Sequence, residues 1–171
     1  MTATTTIDVV AARRAAEAVP DPELPPVTLG MLGVIHDVIA DGGHVHVDLL
    51  PTFAGCPATE MMTADVRDAV LAVDGVTGVD VRIRFSPAWT PDRMSPEGHE
   101  ALRSFGIAAP VDVPAGRRLP VVNDEDTADD RRTCPYCASD RTERQSLFGP
   151  TPCRDIRFCQ ACRQPFEGFK A

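Results

Sequence analysis

The sequence predicts an α/β chain: a small two-layer domain with a three-stranded sheet and helices, followed by a C-terminal zinc ribbon. Three observations predict it. Apolar residues recur at helical spacing near residues 7–19 and 62–73, and strict alternation of period two runs through 44–49 and 79–85. Four cysteines near the end are spaced C-x2-C-x21-C-x2-C, as Cys134, Cys137, Cys159 and Cys162.

Each element follows in order. Ile7, Val10, Ala11, Ala15 and Ala18 lie at helical spacing and predict a first helix, and the closely spaced prolines of VPDPELPP end it in an ordered loop. In GVIHDVIADGGHVHVDLLPTF, Val45, Val47 and Leu49 take one strand face, with His44, His46 and Asp48 on the other. Asp41-Gly42-Gly43 turns the chain, so a hairpin is predicted. After FAGCPATEM, the stripe Met62, Val66, Ala69, Val70 and Val73 predicts a second helix, with Pro57 at its first position and its end near Asp74-Gly75. Val79, Val81, Ile83 and Phe85 alternate with Asp80, Arg82 and Arg84 and predict a third strand. In SPEGHEALRSFG, Ser95 caps a short helix that stops at Gly106.

Residues 1–106 are read as the first domain, 107–133 as an acidic, proline-containing linker and 134–171 as the ribbon. Charge divides the chain the same way. Residues 1–130 hold 9 Lys and Arg against 21 Asp and Glu, whereas residues 131–171 hold 8 against 4. Phosphate recognition needs clustered basic residues, so the larger, acidic part is expected to bind neither nucleic acid nor an anionic membrane. The start of the chain has no basic segment leading into an apolar run, and no stretch nears the ~20 apolar residues of a membrane span. A cytoplasmic location follows as the expectation. In that reducing compartment six cysteines are read as metal ligands or reactive thiols rather than three disulfides.

The tail carries the strongest motif. Two residues between paired cysteines let both sulfurs of a knuckle reach one ion, and four thiolates complete a tetrahedral zinc site. So short a segment buries too little core to fold alone, so the metal would supply much of its folding free energy. Four thiolates and one dication carry net negative charge, which Arg131, Arg132, Arg154, Arg157 and Arg163 would offset. The basic tail is therefore weak evidence for nucleic acid. Cys153, between the knuckles, has three readings: a small buried hydrophobe, an extra exchangeable ligand, or a reactive thiol.

Cys56 is the only cysteine before the tail. At the N-cap of the second helix its sulfur would face unpaired N–H groups and the positive dipole end, which predicts a lowered pKa. Gly55 allows a sharp turn from the preceding strand, and Pro57 lacks the N–H that would need a partner. The alternative is an inert cysteine standing where a serine cap would. Asp21 and Glu23 offer carboxylates on the proline-stiffened loop, and Thr52 and Thr59 flank the turn with hydroxyls. Thiolate, carboxylate and threonine would suit transient iron or an iron-sulfur fragment; a solvated acidic turn is the plainer account of the carboxylates. His44 and His46 share one strand face and could chelate, but are read as an exposed polar face, and Trp89 is read as a packing anchor rather than a ligand platform. No phosphate-cradling glycine loop, serine nucleophile motif or helix-borne carboxylate pair stands out, so little supports an autonomous enzyme.

DPELPPVTLGMLGVIHDV together with TFAGCPATEM resembles the metal-sulfur cluster assembly domain, marked by an Asp-Pro-Glu loop and a cysteine before the second helix. FSPAWTPDRMSPEGHEALRSFGIAAP joined to CPYC and CQACRQPFEGFK resembles the PaaD family of phenylacetate degradation, and the likeness runs from about residue 15 to residue 170. The resemblance implies a rubredoxin-like ribbon and an accessory role beside a diiron oxygenase and a flavin- and iron-sulfur-containing reductase. It assigns cluster handling to Cys56, the acidic loop to Asp21 and Glu23, and the turn to Thr52, Gly55 and Pro57. Ala138 departs from the family's glycine, where positive φ is expected.

Three functions follow. The first is a non-catalytic maturation factor of the phenylacetyl-CoA epoxidase system that assists iron-sulfur cluster or metal assembly on the reductase or oxygenase, with structural zinc in the ribbon. The second is an interaction subunit whose cysteines are structural only, and the third a thiol-dependent enzyme using Cys56. The expected partners are the reductase and oxygenase subunits, with no nucleic acid and no membrane; a homodimer is left open.

Overall fold

A computed structural model describes residues 7–110 and 132–170. Helix α1 (Val9–Glu17) starts where Asp8 caps it, its carboxylate accepting from the N–H groups of Val10 and Ala11. The segment predicted as a loop is instead a two-stranded hairpin, β1 (Pro20–Asp21) and β2 (Leu24–Thr28). Asp21 makes the turn by accepting from the N–H groups of Glu23 and Leu24 at 2.8 and 3.0 Å.

The central sheet runs β3 (Ile35–Asp41), β4 (His44–Leu49) and β5 (Gly78–Ile83), in that spatial order. The predicted hairpin joins β3 and β4 antiparallel. Helix α2 (Thr59–Leu71) is the crossover that brings β5 parallel to β4. Val45, Val47 and Leu49 are fully buried on the face covered by α1 and α2, against Ala12, Ala16, Met62, Val66 and Val70. His44, His46, Asp48, Asp80, Arg82 and Arg84 line the opposite, open face.

Trp89 closes one end of this core. Its indole N–H donates to the Leu32 carbonyl at 2.7 Å, and its ring meets Phe169 edge-on at 6.4 Å between centroids. Helix α3 (Pro96–Ser104) is capped by Ser95, whose hydroxyl accepts from the Gly98 N–H. Gly106, at φ +83°, then turns the chain out of it.

The second sheet has the order β6-β9-β8-β7, from β6 (Ile107–Ala108), β7 (Thr142–Ser146), β8 (Arg154–Cys159) and β9 (Pro165–Phe169). Residues 107 and 108, read from sequence as the start of the linker, are thus a strand of the ribbon sheet, pairing in parallel with β9. Residues 111–131 of the predicted linker lie outside the described residues. Phe169 and Cys153, from the ribbon, belong to the same buried cluster as Leu24, Val34 and Trp89 of the first domain. The ribbon is therefore packed into the α/β core rather than tethered beside it.

Candidate functional site

The ribbon sulfurs come together first. Cys134 and Cys137 lie on the turn before β7, and Cys159 and Cys162 on the turn leaving β8. The two turns repeat one hydrogen-bond pattern: Ala138 N–H donates to the Cys134 carbonyl and Arg163 N–H to that of Cys159, each at 2.9 Å. Cys134 N–H donates to the Ser139 carbonyl, and Cys159 N–H to that of Gln164. Ala138 and Arg163 hold equivalent left-handed positions, at φ 57° and 63°. The positive φ expected at Ala138 is present, at a cost of about 1 kcal/mol relative to glycine.

Sulfur pairs Cys134/Cys162 and Cys137/Cys159 are 3.7 and 3.6 Å apart, and all four sulfurs lie within 4.8 Å of one another. Tetrahedral thiolates at the usual Zn–S length of about 2.3 Å would stand about 3.8 Å apart. The set fits zinc, and these four residues would hold it as a structural ion. The N–H groups of Cys162 and Ala161 hold the Cys159 thiol down to about 6, preparing one thiolate. Beneath the site, Arg157 and Asp155 form a bidentate pair in which both side chains are almost fully buried.

Cys153 is not one of the four. It sits on the chain entering β8, and the fold turns its sulfur away from the zinc ligands and into a cavity of the first domain. That cavity is lined by Asp21, Glu23, Leu24, Val34, Thr52, Cys56, Met62, Cys153 and Phe169. Its free volume is about 10 Å³, enough for roughly one water or ion. The structure thus gathers Asp21, Glu23, Thr52 and Cys56 around one space and adds Cys153 to them.

Cys56 enters this space from a double turn. Its N–H donates to the Phe53 carbonyl at 3.1 Å, and its own carbonyl accepts from the Thr59 hydroxyl at 3.0 Å. Helix α2 begins at Thr59 with Ala58 as its cap, so Pro57 sits in the turn ahead of the helix and not at its first position. Gly55 serves the same turn: a β-carbon there would stand 3.2 Å from the Phe53 ring. The lowered pKa expected for Cys56 is corrected by its surroundings. Burial pushes the thiol up, and the charges of Glu23 and Asp21 push it further. The N–H groups of Ala58 and Thr59 do reach the sulfur, but they offset only part of this.

Burial likewise raises the Cys153 thiol, the Thr151 hydroxyl opposing and the Glu23 charge adding to the rise. Asp21 is also raised, chiefly by burial, against the two N–H groups it accepts. The cavity therefore sets two thiols whose pKa values are raised beside the carboxyl groups of Asp21 and Glu23, with Leu24, Val34, Met62 and Phe169 as apolar walls. A cation entering it would displace the thiol protons.

Elsewhere, His44 Nε2 and His46 Nδ1 approach one carboxylate oxygen of Asp80 at 3.2 and 3.4 Å on the open sheet face. This group is remote in the fold from the cysteine cavity, since Val45 and Val47 separate the two faces of β4. Sequence left Cys153 open between buried hydrophobe, extra ligand and reactive thiol, and did not place it beside Cys56. The only signal was its offset from both knuckles, which shows that it is not a regular ligand but not where it points.

The first domain matches the iron-sulfur cluster assembly protein family over residues 10–81, and the tail matches the PaaD zinc beta ribbon domain over residues 119–170. A protein of Escherichia coli (strain K12), described as a putative component of 1,2-phenylacetyl-CoA epoxidase, is 38% identical over 152 residues, 89% of this chain and 86% of its own. The chain belongs to the PaaD family. Its first domain is shared more widely. An "Fe-S protein maturation auxiliary factor" of Porphyromonas gingivalis is 40% identical over 55% of this chain and 87% of its own. The crystal structure of a domain of unknown function, DUF59, from Bacillus anthracis superposes with a TM-score of 0.50 at 33% identity, over 55% of this chain and 90% of that one. The family model of the first domain ends at residue 81, ahead of the Trp89 segment, and the smaller relatives match only about half of this chain. Among the described residues no helix is long and apolar enough to cross a membrane.

Proposed function

We propose that the protein is a non-catalytic maturation factor of a phenylacetyl-CoA epoxidase system, which takes up iron or an iron-sulfur fragment at Cys56 and passes it to the reductase or oxygenase component. The observation that carries this reading is the Cys56 cavity: a thiol beside the carboxylates of Asp21 and Glu23, half-buried at the mouth of an iron-sulfur assembly domain. The names of the relatives support it, joining an epoxidase component across most of the chain to maturation factors over the first domain.

The chemistry suits cargo in transit. A thiol whose pKa is raised binds a metal only by giving up its proton, so protons compete with the ion and each tenfold rise in that competition weakens apparent affinity tenfold. Nearby carboxylates favour the incoming cation, while the apolar walls limit the water that could trap it. The site is thus matched to weak, reversible holding, in contrast to the four-thiolate ribbon.

The test replaces Cys56 with Ser in the host organism. Growth on phenylacetate is expected to fail, and the purified reductase to contain substoichiometric iron and sulfide, while zinc in the variant stays at one per chain. Full growth with a fully loaded reductase would overturn the reading.

A further inference from the structure

We propose that Cys153, contributed by the ribbon, is the second thiol ligand of the Cys56 site, and that with Glu23 the two cysteines form a binding site for a thiophilic divalent ion, ferrous iron in the role proposed above. The inference rests on that role for its natural cargo, but the site itself is argued from geometry.

Cys153 is 6% exposed and belongs to the buried apolar cluster, yet its sulfur also meets polar groups. It lies 3.0 Å from the Thr151 hydroxyl and donates to the Glu23 carboxylate at 3.5 Å. It also shares its cavity with Cys56, apart from the four ribbon sulfurs. Glu23 meets no Lys or Arg among the described residues, and the nearby Arg154 is engaged by Glu167 at 2.7 Å and by Thr151 at 2.9 Å. Two thiols and a carboxylate without a paired cation are a ligand set for a soft or borderline dication.

The fold holds this arrangement with some insistence. The Lys170 N–H donates to the Cys153 carbonyl at 2.7 Å, tying the residue to the end of β9, whose Phe169 walls the same cavity. Gly149 N–H donates to the Arg154 carbonyl and Arg154 N–H to that of Thr151, closing the loop that presents the sulfur. A β-carbon on Gly149 would stand 2.7 Å from the Arg154 carbonyl oxygen, so the close approach requires glycine.

Cavity size selects the cargo. About 10 Å³ admits one ion and not a multinuclear cluster, so of the two cargoes proposed above the site as built takes iron alone. Among the described residues these ligand atoms are not all within 4.8 Å of one another, as the zinc cysteines are. Binding therefore requires a side-chain rearrangement that closes the set around the ion, and the two thiol protons leave to solvent.

The test uses the full chain carrying one zinc, titrated with Co(II) under anaerobic conditions. Sulfur-to-cobalt charge-transfer absorption scales with the number of thiolates bound. One further equivalent with the intensity of two thiolates is expected. Cys153→Ala and Cys56→Ala should each halve that intensity and weaken binding at least tenfold, with zinc content and Trp89 emission unchanged as evidence of folding. Cys153→Ser, which keeps the size of the side chain, is the second variant should the alanine form misfold, and the same loss is expected. If either folded Cys153 variant matches the parent while Cys56→Ala abolishes the bands, the two-thiol site is overturned and the role of Cys56 stands. Should neither cysteine matter, both fail.

Discussion

Removing the ribbon zinc should destabilise the α/β domain, which holds no part of the metal site. Four thiolates on zinc supply about 10–16 kcal/mol at neutral pH. Among the described residues the buried cluster around the sulfurs comprises Ala108, Cys134, Cys159 and Phe166, too little to hold the ribbon without the ion. Unfolding it withdraws Phe169, 2% exposed, from the core shared with Leu24, Val34 and Trp89. Withdrawing a buried phenylalanine costs about 3–5 kcal/mol, a large share of the roughly 5–15 kcal/mol that holds a domain together. Trp89, the sole tryptophan, reports the event directly, because it loses its edge-on contact with Phe169 and gains water. Chelation should therefore shift its emission to the red and lower the guanidinium midpoint of the whole protein. Phe169→Ala with zinc retained should reproduce both changes. Unaltered emission and midpoint in protein shown to be metal-free would refute the coupling.

Other consequences are equally direct. Because burial and the charges of Glu23 and Asp21 raise the Cys56 thiol, its thiolate fraction at pH 7 should fall below the roughly 3% of a free cysteine. Alkylation of Cys56 followed against pH should then show a midpoint above the ordinary value of about 8.5, shifted down in Glu23→Gln; a midpoint below 8.5 would contradict the site described. The sign for stability follows from linkage. A thiol raised by folding contributes fully below its unfolded pKa and loses that contribution as pH rises through the folded one, so stability should decline on the alkaline side of about pH 8.5. In the ribbon, Asp155→Asn removes the charge and one acceptor oxygen from the bidentate partner of Arg157, a residue only 1% exposed, and about 1–3 kcal/mol should be lost. Thermal unfolding of the zinc-loaded variant with a Tm equal to the parent's would exclude that role.

Much of the fold was legible because local signals agreed with tertiary placement. Val45, Val47 and Leu49 alternate and are all buried; Met62, Val66 and Val70 keep helical spacing and face them; Ser95 and Gly106 bound α3 as their chemistry requires. The Asp21 hairpin was harder to see. Its prolines argue against a helix but are equally suited to a loop, and the turn is made by a side-chain oxygen rather than by a glycine signature. For Cys56 the reading failed on balance of terms. The local N–H groups are where the sequence places them, but burial depends on Phe169 and Cys153, more than ninety positions away. Nor does spacing reveal that β6 joins the ribbon sheet, since two residues carry no periodicity.

On the proposed reading the two cysteine sets answer opposite chemical demands, and their connection would give the ribbon a purpose on this domain. Zinc held by four thiolates from two nearly identical turns is closed to exchange, and so it can act as a fixed anchor. From that anchor β8 and β9 project Cys153 and Phe169 across the mouth of the Cys56 cavity. On the proposed reading, the anchor sets the position of the second thiol without contributing a ligand itself. Release then needs no change at zinc. Withdrawing one short segment, residues 147–153, would remove one thiolate, reopen the apolar wall to water and leave the ion held by Cys56 and carboxylate alone. A partner that displaced this segment would weaken the site at the moment it offered its own ligands, which is the condition for directional transfer between a donor and an acceptor of similar chemistry.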